Sequence, residues 1–191
     1  MLEDLVISKV RVKLLDIFFS NPTEIYHVRG LTRKTGEEIN AVRRELFHLE
    51  TAGILKKEPR GNRLYYWLSA GYPLYTELLA IVAKEIGLGE QIIKNRNRIG
   101  KILYCVFSRK LVERKERKEE EVDILIIGDI VMAELSGLIR SEEEKRGKEI
   151  NYTVMTEEEF SFRKKRRDPF LSGILESGKV LIIGDESGLF E

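Results

Sequence analysis

The sequence predicts an α+β protein of two domains. Residues 1–70 form a helix-turn-helix closed by a β-hairpin, 71–90 a connecting helix, and 91–191 a small α/β domain. Three observations predict it. Up to Ala52, apolar residues recur at helical spacing; two β-prone runs around Pro59-Arg60-Gly61-Asn62-Arg63 follow. From Ile102 onward, short apolar runs alternate with stretches that open on helix caps. Charge divides the same way: Leu5–Ala70 carries 12 Lys and Arg against 7 Asp and Glu, whereas Gly71–Glu191 carries 21 against 23. A basic first third beside a balanced remainder points to a nucleic-acid-binding module joined to something else.

Composition narrows the classes further. The chain has 191 residues, 42% hydrophobic and 34% charged. It is long enough to bury a core in each part, too apolar to be disordered and too charged for a membrane protein. No apolar run approaches the roughly 20 residues of a spanning helix. Met1–Asp4 is acidic and lacks a signal peptide's basic start, so the expected setting is cytoplasmic, away from membranes. One cysteine, Cys105, excludes a disulfide scaffold, and with only His27 and His48 beside it a Cys/His zinc site is nearly excluded. No metal or cofactor is expected. A single glutamine, Gln91, among abundant Glu, Lys and Arg hints at a thermophilic source.

The elements follow in order. Val10, Leu14, Ile17 and Phe18 define a helix from about Val6 to Phe19, ended by Asn21-Pro22. Ile25–Val28 is β-prone, Arg29–Lys34 a brief helix, and Thr35-Gly36 a turn. A longer helix over Glu37–Ala52 carries the stripe Ile39, Val42, Leu46 and Leu49. Glu37 and Glu38 lie in its first turn and Gly53 at its C′ position. Ile54–Glu58 and Leu64–Leu68 are the hairpin strands. Pro73–Ile86 is a helix in which Leu74, Leu78, Ile81, Val82 and Ile86 make one face and Tyr75, Leu79 and Ala83 widen it. Such a helix needs a second surface to pack on. Gly87 and Gly89 mark the boundary. Ile102–Phe107, Val122–Ile127, Ile150–Met155 and Val180–Ile183 are strands. Ile130–Arg146 is a helix, and Thr156 and Asp168-Pro169 each open another.

The order helix, strand, helix, turn, helix, hairpin resembles the winged-helix DNA-binding domains of ArsR-type prokaryotic regulators. The stretches Asn40–Leu46 and Leu49–Leu55 look like their recognition helix and entry to the wing. The resemblance implies a duplex-DNA partner, and the extra apolar face of Pro73–Ile86 is expected to be buried in a homodimer or against the chain's own C-terminal domain. With Leu46 and Leu49 facing inward, Asn40, Arg43, Arg44 and Phe47 fall on the outer side, where Arg and Asn suit guanine and adenine edges. Lys56, Lys57, Arg60, Asn62 and Arg63 suit phosphate or minor groove at the wing. The plainer alternatives are a solvated basic face paired with Glu37, Glu38 and Glu45, and a polar hairpin tip. His48 is a helix-face histidine or a DNA contact, and His27 packs or makes a local hydrogen bond.

Val122–Asp129, Glu149–Val154, Thr156–Phe160, Asp168–Leu171 and Val180–Gly184 resemble the small nucleotidyltransferase-like domains, which have a mixed sheet. These are often fused to winged helices in prokaryotes, archaea especially. The resemblance implies a Gly-Ser phosphate turn after the first strand and an Asp-x-Asp metal pair. Cys105 and Val106 stand at the expected turn, and the acid pair reads Glu121-Val122-Asp123. Glu121 and Asp123 therefore read as a vestigial nucleotide or metal site, with no catalytic residue. Cys105 is a nucleophile only if its strand exposes it; a buried inert thiol is the expectation. The mixed-charge run Arg114–Glu121 reads as a solvated loop, and Arg163–Arg167 as a basic helix end or an added phosphate contact.

The reading is a DNA-binding transcriptional regulator with an inactive second domain for dimerisation, sensing of an unidentified effector or partner binding. The rivals are an active nucleotidyltransferase whose winged helix recruits substrate, and an RNA- or protein-binding adaptor.

Overall fold

The computed structural model describes residues 7–190, so Met1–Asp4 and the expected helix start at Val6 lie outside them. The chain divides into two compact units, Met1–Glu85 and Ile86–Glu191.

In the first unit, α1 (Lys9–Ser20) starts where the Ser8 hydroxyl accepts from the Arg11 amide. It buries Leu14, Leu15, Phe18 and Phe19. Val10 and Ile17, expected in the stripe, are only half-buried, so the buried face is turned by about one position. Strand β1 (Tyr26–His27) leads into α2 (Val28–Thr35), which ends at Gly36 in the left-handed region. Helix α3 spans Ile39–Thr51, two residues later than expected at its start. Glu38 is its N-cap: the carboxylate accepts from the amides of Asn40 (2.8 Å) and Ala41 (3.1 Å). Glu37 lies outside the helix and pairs with Lys13 of α1 at 2.5 Å. Val42, Leu46 and Leu49 are buried as the stripe requires, while Ile39 is half-buried. The Gly53 amide donates to the Glu50 carbonyl and the Ile54 amide to Leu49, closing the helix with Gly53 at φ +80°.

Strands β2 (Leu55–Arg60) and β3 (Arg63–Leu68) are longer than the sequence suggested, and the turn between them shrinks to Gly61-Asn62. Pro59 sits inside β2, opposite Leu64, which the sheet tolerates because β2 is an edge in the order β1-β3-β2. Helix α4 covers Tyr75–Glu85 and buries Tyr75, Leu79 and Val82. Leu74 and Ile81, expected on its packed face, are 53% and 36% exposed, and Leu78 is half-buried.

The second unit opens with α5 (Gly87–Lys94) and α6 (Arg96–Ile99), which were not anticipated. Then come β4 (Gly100–Ser108), α7 (Arg109–Val112), β5 (Ile124–Ile130), α8 (Met132–Arg146) and β6 (Tyr152–Met155). Helices α9 (Glu157–Lys165) and α10 (Pro169–Glu176), strand β7 (Lys179–Ile183) and α11 (Glu186–Phe190) complete it. The sheet runs β6-β5-β4-β7, with β5 and β6 parallel and the other pairs antiparallel, so it is mixed. Ile124–Ile127 of β5 are fully buried, as expected of a strand covered on both faces. Gly100 and Gly128 adopt φ of +120° and +148° where β4 and β5 approach. A Cβ on Gly100 would collide with the Asp129 carbonyl, and one on Gly128 with the Lys101 carbonyl. Among the described residues no helix is long and apolar enough to cross a membrane.

Candidate nucleic-acid interface

The surface of α3 follows from its period. With Val42, Leu46 and Leu49 inside, Asn40, Arg43, Arg44, Phe47 and His48 are exposed along one stripe. Phe47 is 59% exposed and lies edge-on to His48, with ring centroids 6.2 Å apart. A large ring left in water on a basic helix face is a feature the sequence placed but did not weigh.

The nearby acids are engaged elsewhere. Glu45 accepts from the Ser8 hydroxyl (2.8 Å) and from Arg11 Nε (2.7 Å). Burial acts to raise the Glu45 carboxyl, but the hydrogen bonds from Ser8 and Arg11 and the Arg11 charge hold it below the ordinary carboxylate range. Glu37 is held by Lys13, Glu38 caps α3, and Glu50 pairs with Lys57 at 3.0 Å. The plainer expectation, that Glu37, Glu38 and Glu45 neutralise the arginines of α3, is therefore corrected. Among the described residues no carboxylate pairs with Arg43 or Arg44.

The wing candidates Lys56, Lys57, Arg60, Asn62 and Arg63 are all exposed, but they are not equivalent. Lys57 is tied to Glu50 and Arg60 to Glu58 (2.7 Å), with the Arg60 guanidinium 5.4 Å from the Tyr65 ring centroid. Among the described residues Lys56 and Arg63 have no such partner. Strand alternation and register put Lys56, Trp67, Tyr65, Arg60 and Arg63 on one face of the hairpin. A concave patch in the same unit brings Arg63 together with Arg29, Thr32 and Arg33 of α2 and with His27. Arg29 and Arg33 are cations the sequence reading missed. The signal was present, since they are one helical turn apart on a short basic helix. His27 makes the local hydrogen bond expected of it: Nδ1 accepts from the Gly30 amide at 3.1 Å and caps α2.

In the second unit the residues expected at a phosphate turn form none. Cys105 and Val106 lie inside β4, paired with β5 and β7, and both are buried. Burial pushes the Cys105 thiol up, so it is not a thiolate nucleophile. The chain leaves the strand at Ser108-Arg109 instead, where the Ser108 hydroxyl accepts from the Leu111 amide at 3.1 Å. The acid pair lies nearby, but each carboxylate is held by a cation of the chain. Both Glu121 oxygens accept from Lys110 Nζ at 2.7 Å, and Lys110 and the Lys118 amide hold that carboxyl below the ordinary range. Asp123 is buried, accepts from Arg117 Nε at 2.7 Å, and its Oδ2 also accepts from the Asn151 amide at 3.0 Å. It ties the start of β5 to the entry of β6. These carboxylates do not fit a divalent metal as they stand, since a metal has to displace Lys110 and Arg117. Among the described residues no three metal-ligating side chains cluster. Ser108, Glu121, Val122 and Phe170 help line a cavity of about 530 Å³. The run Arg114–Glu121 is the exposed loop expected, with Arg117 and Glu121 half-buried and held at Asp123 and Lys110. Arg163–Lys165 form the last turn of α9, with Arg163 paired to Glu159.

Among solved structures, the chain is similar to reduced HlyU from Vibrio cholerae N16961, at 17% identity and a TM-score of 0.34, over 44% of this chain and 82% of that one. At that TM-score the likeness decides neither fold nor function. No protein-family model matches the chain, and no curated protein matches it.

Proposed function

We propose that the chain is a cytoplasmic DNA-binding transcriptional regulator whose first unit is a winged helix reading duplex DNA. The observation that carries this is the exposed stripe of α3: Asn40, Arg43, Arg44 and Phe47 face water while Glu37, Glu38, Glu45 and Glu50 are engaged by other groups. Free guanidinium forks pair with guanine edges, an amide with adenine, and a ring with the thymine methyl. Lys56, Arg63, Arg29 and Arg33 supply phosphate contacts that fix orientation. Leu74, just before α4, and Leu78 and Ile81 on it make an apolar strip that a second copy covers, giving a dimer with recognition helices about 34 Å apart. The bound site is then an inverted repeat. Selection of bound fragments from random duplex DNA by the purified protein tests the reading. An enriched inverted-repeat motif is expected, and enrichment of no motif contradicts it.

The second unit is proposed as a nucleotidyltransferase-like domain without transfer activity. The internal pairing of Glu121 with Lys110 and of Asp123 with Arg117 supports this, because transfer depends on placing metals and triphosphate together. No label from the four nucleoside triphosphates, with magnesium or manganese, is expected to enter protein, DNA or RNA. Incorporation lost on Asp123→Ala overturns this and favours the enzyme reading.

A further inference from the structure

In the second unit a pocket of about 170 Å³ is lined by residues of α7, the following loop, the end of α8 and the approach to β6. Two of its arginines are unusual for surface cations. The side chains of Arg117 and Arg146 are only 15% and 18% exposed. Each guanidinium is held at two of its three nitrogens. Arg117 donates from Nε to Asp123 and from Nη1 to the carbonyls of Lys118 (3.1 Å) and Glu119 (3.2 Å). Arg146 donates from Nε to Glu142 (2.6 Å) and from Nη1 to the Leu111 carbonyl (3.0 Å). In both, Nη2 makes no hydrogen bond among the described residues. Lys148, on the same pocket, is exposed and has no ion pair among the described residues.

A guanidinium anchored by Nε and Nη1 does not swing freely, so its remaining N–H groups are already ordered and little entropy is lost when an acceptor arrives. The pocket lining carries six cations, Lys110, Arg114, Lys115, Arg117, Arg146 and Lys148, against two carboxylates, Asp123 and Glu149, so its balance stays positive. Three separate donor groups around one small space suit an acceptor with three oxygens and two negative charges better than a carboxylate, which one fork satisfies. The pocket also shares Lys110, Lys115 and Arg117 with the 530 Å³ cavity, whose walls include Phe170 and Ile174.

We propose that this pocket binds a phosphoryl group, with Arg117 and Arg146 as fixed donors and Lys148 as the mobile third. The shared chemistry is the phosphate dianion, free or as the monoester of a small molecule whose body enters the adjoining cavity. The proposal is independent of DNA recognition by the first unit.

Titration calorimetry on the full chain tests it, with inorganic phosphate and phenyl phosphate as probes and chloride at matched ionic strength as control. Saturable binding of one site per chain is expected. Phenyl phosphate binding more tightly than phosphate assigns a monoester, and equal binding assigns the free anion. Lys148→Glu reverses an exposed, unpaired charge without touching the core, and should weaken binding about tenfold with an unchanged melting temperature in chloride. Arg146→Lys, which keeps charge but loses the fork, should weaken it by a similar factor. Absence of saturable binding of both probes by the wild-type chain, or equal affinity in the wild type and Lys148→Glu, overturns the proposal.

Discussion

Arg43 and Arg44 are available because Glu45, their neighbour in sequence, is taken by Ser8 and Arg11 of another helix. The outward face of α3 was legible from the spacing of Val42, Leu46 and Leu49. The pairing was not, because Arg11 and Glu45 are 34 residues apart and Lys13 and Glu37 are 24 apart. Replacing Arg43 or Arg44 with Ala should cost about 1–3 kcal/mol on a selected site for each lost base pairing, and little on random duplex. Lys56→Ala and Arg63→Ala should weaken all sequences alike and reduce the salt slope of binding by about one each. Arg60→Ala should do less, since Glu58 already neutralises it; anisotropy titrations over a salt series separate the three. Glu45 also gives a pH signature. Its folded carboxyl titrates below the ordinary value of 4.5, so its stabilisation is full above that value and is lost as pH falls through the depressed one. Glu45→Gln should therefore lower the melting temperature near neutral pH, and the gap from wild type should close as the pH falls through the depressed titration of Glu45.

Element boundaries were legible wherever a cap or an apolar stripe marked them. Gly53 closes α3 as its position implied, and Gly53→Ala, forced to φ +80°, should cost about 1 kcal/mol in denaturant unfolding. Helices α5 and α6 were missed because Gly87 and Gly89 read as a break. Their signal lay in Leu88, Ile92 and Ile99, spaced by four and seven residues and buried in the structure. Cys105 and Val106 form no turn because both lie within a strand of nine residues, Gly100–Ser108. The turn that does occur carries Ser108, so the case against transfer rests on the cations that hold Glu121 and Asp123. The strip on α4 was anticipated as an excess of apolar surface, but which residues stay exposed depended on packing. Leu74→Glu with Ile81→Glu should leave the fold intact by circular dichroism and shift sedimentation to the monomer. A dimer that survives both changes places the interface elsewhere.

At the scale of the whole molecule, a net charge of +1 conceals a basic stretch, Leu5–Ala70, with 12 Lys and Arg against 7 Asp and Glu. That asymmetry was readable from the sequence, whereas the freedom of the individual cations was not. In the first unit Arg29, Arg33, Arg43, Arg44, Lys56 and Arg63 make no ion pair among the described residues, while Glu37, Glu45, Glu50 and Glu58 are occupied by other cations. The central claim is that α3 reads base sequence in duplex DNA. The most direct measurement selects bound duplexes from a random library with wild-type protein, then compares wild type with the Arg43→Ala/Arg44→Ala double variant on the selected site and on random duplex. The account expects the double variant to retain binding to random duplex while losing its preference for the selected site. Equal preference for the selected site in both proteins would contradict it.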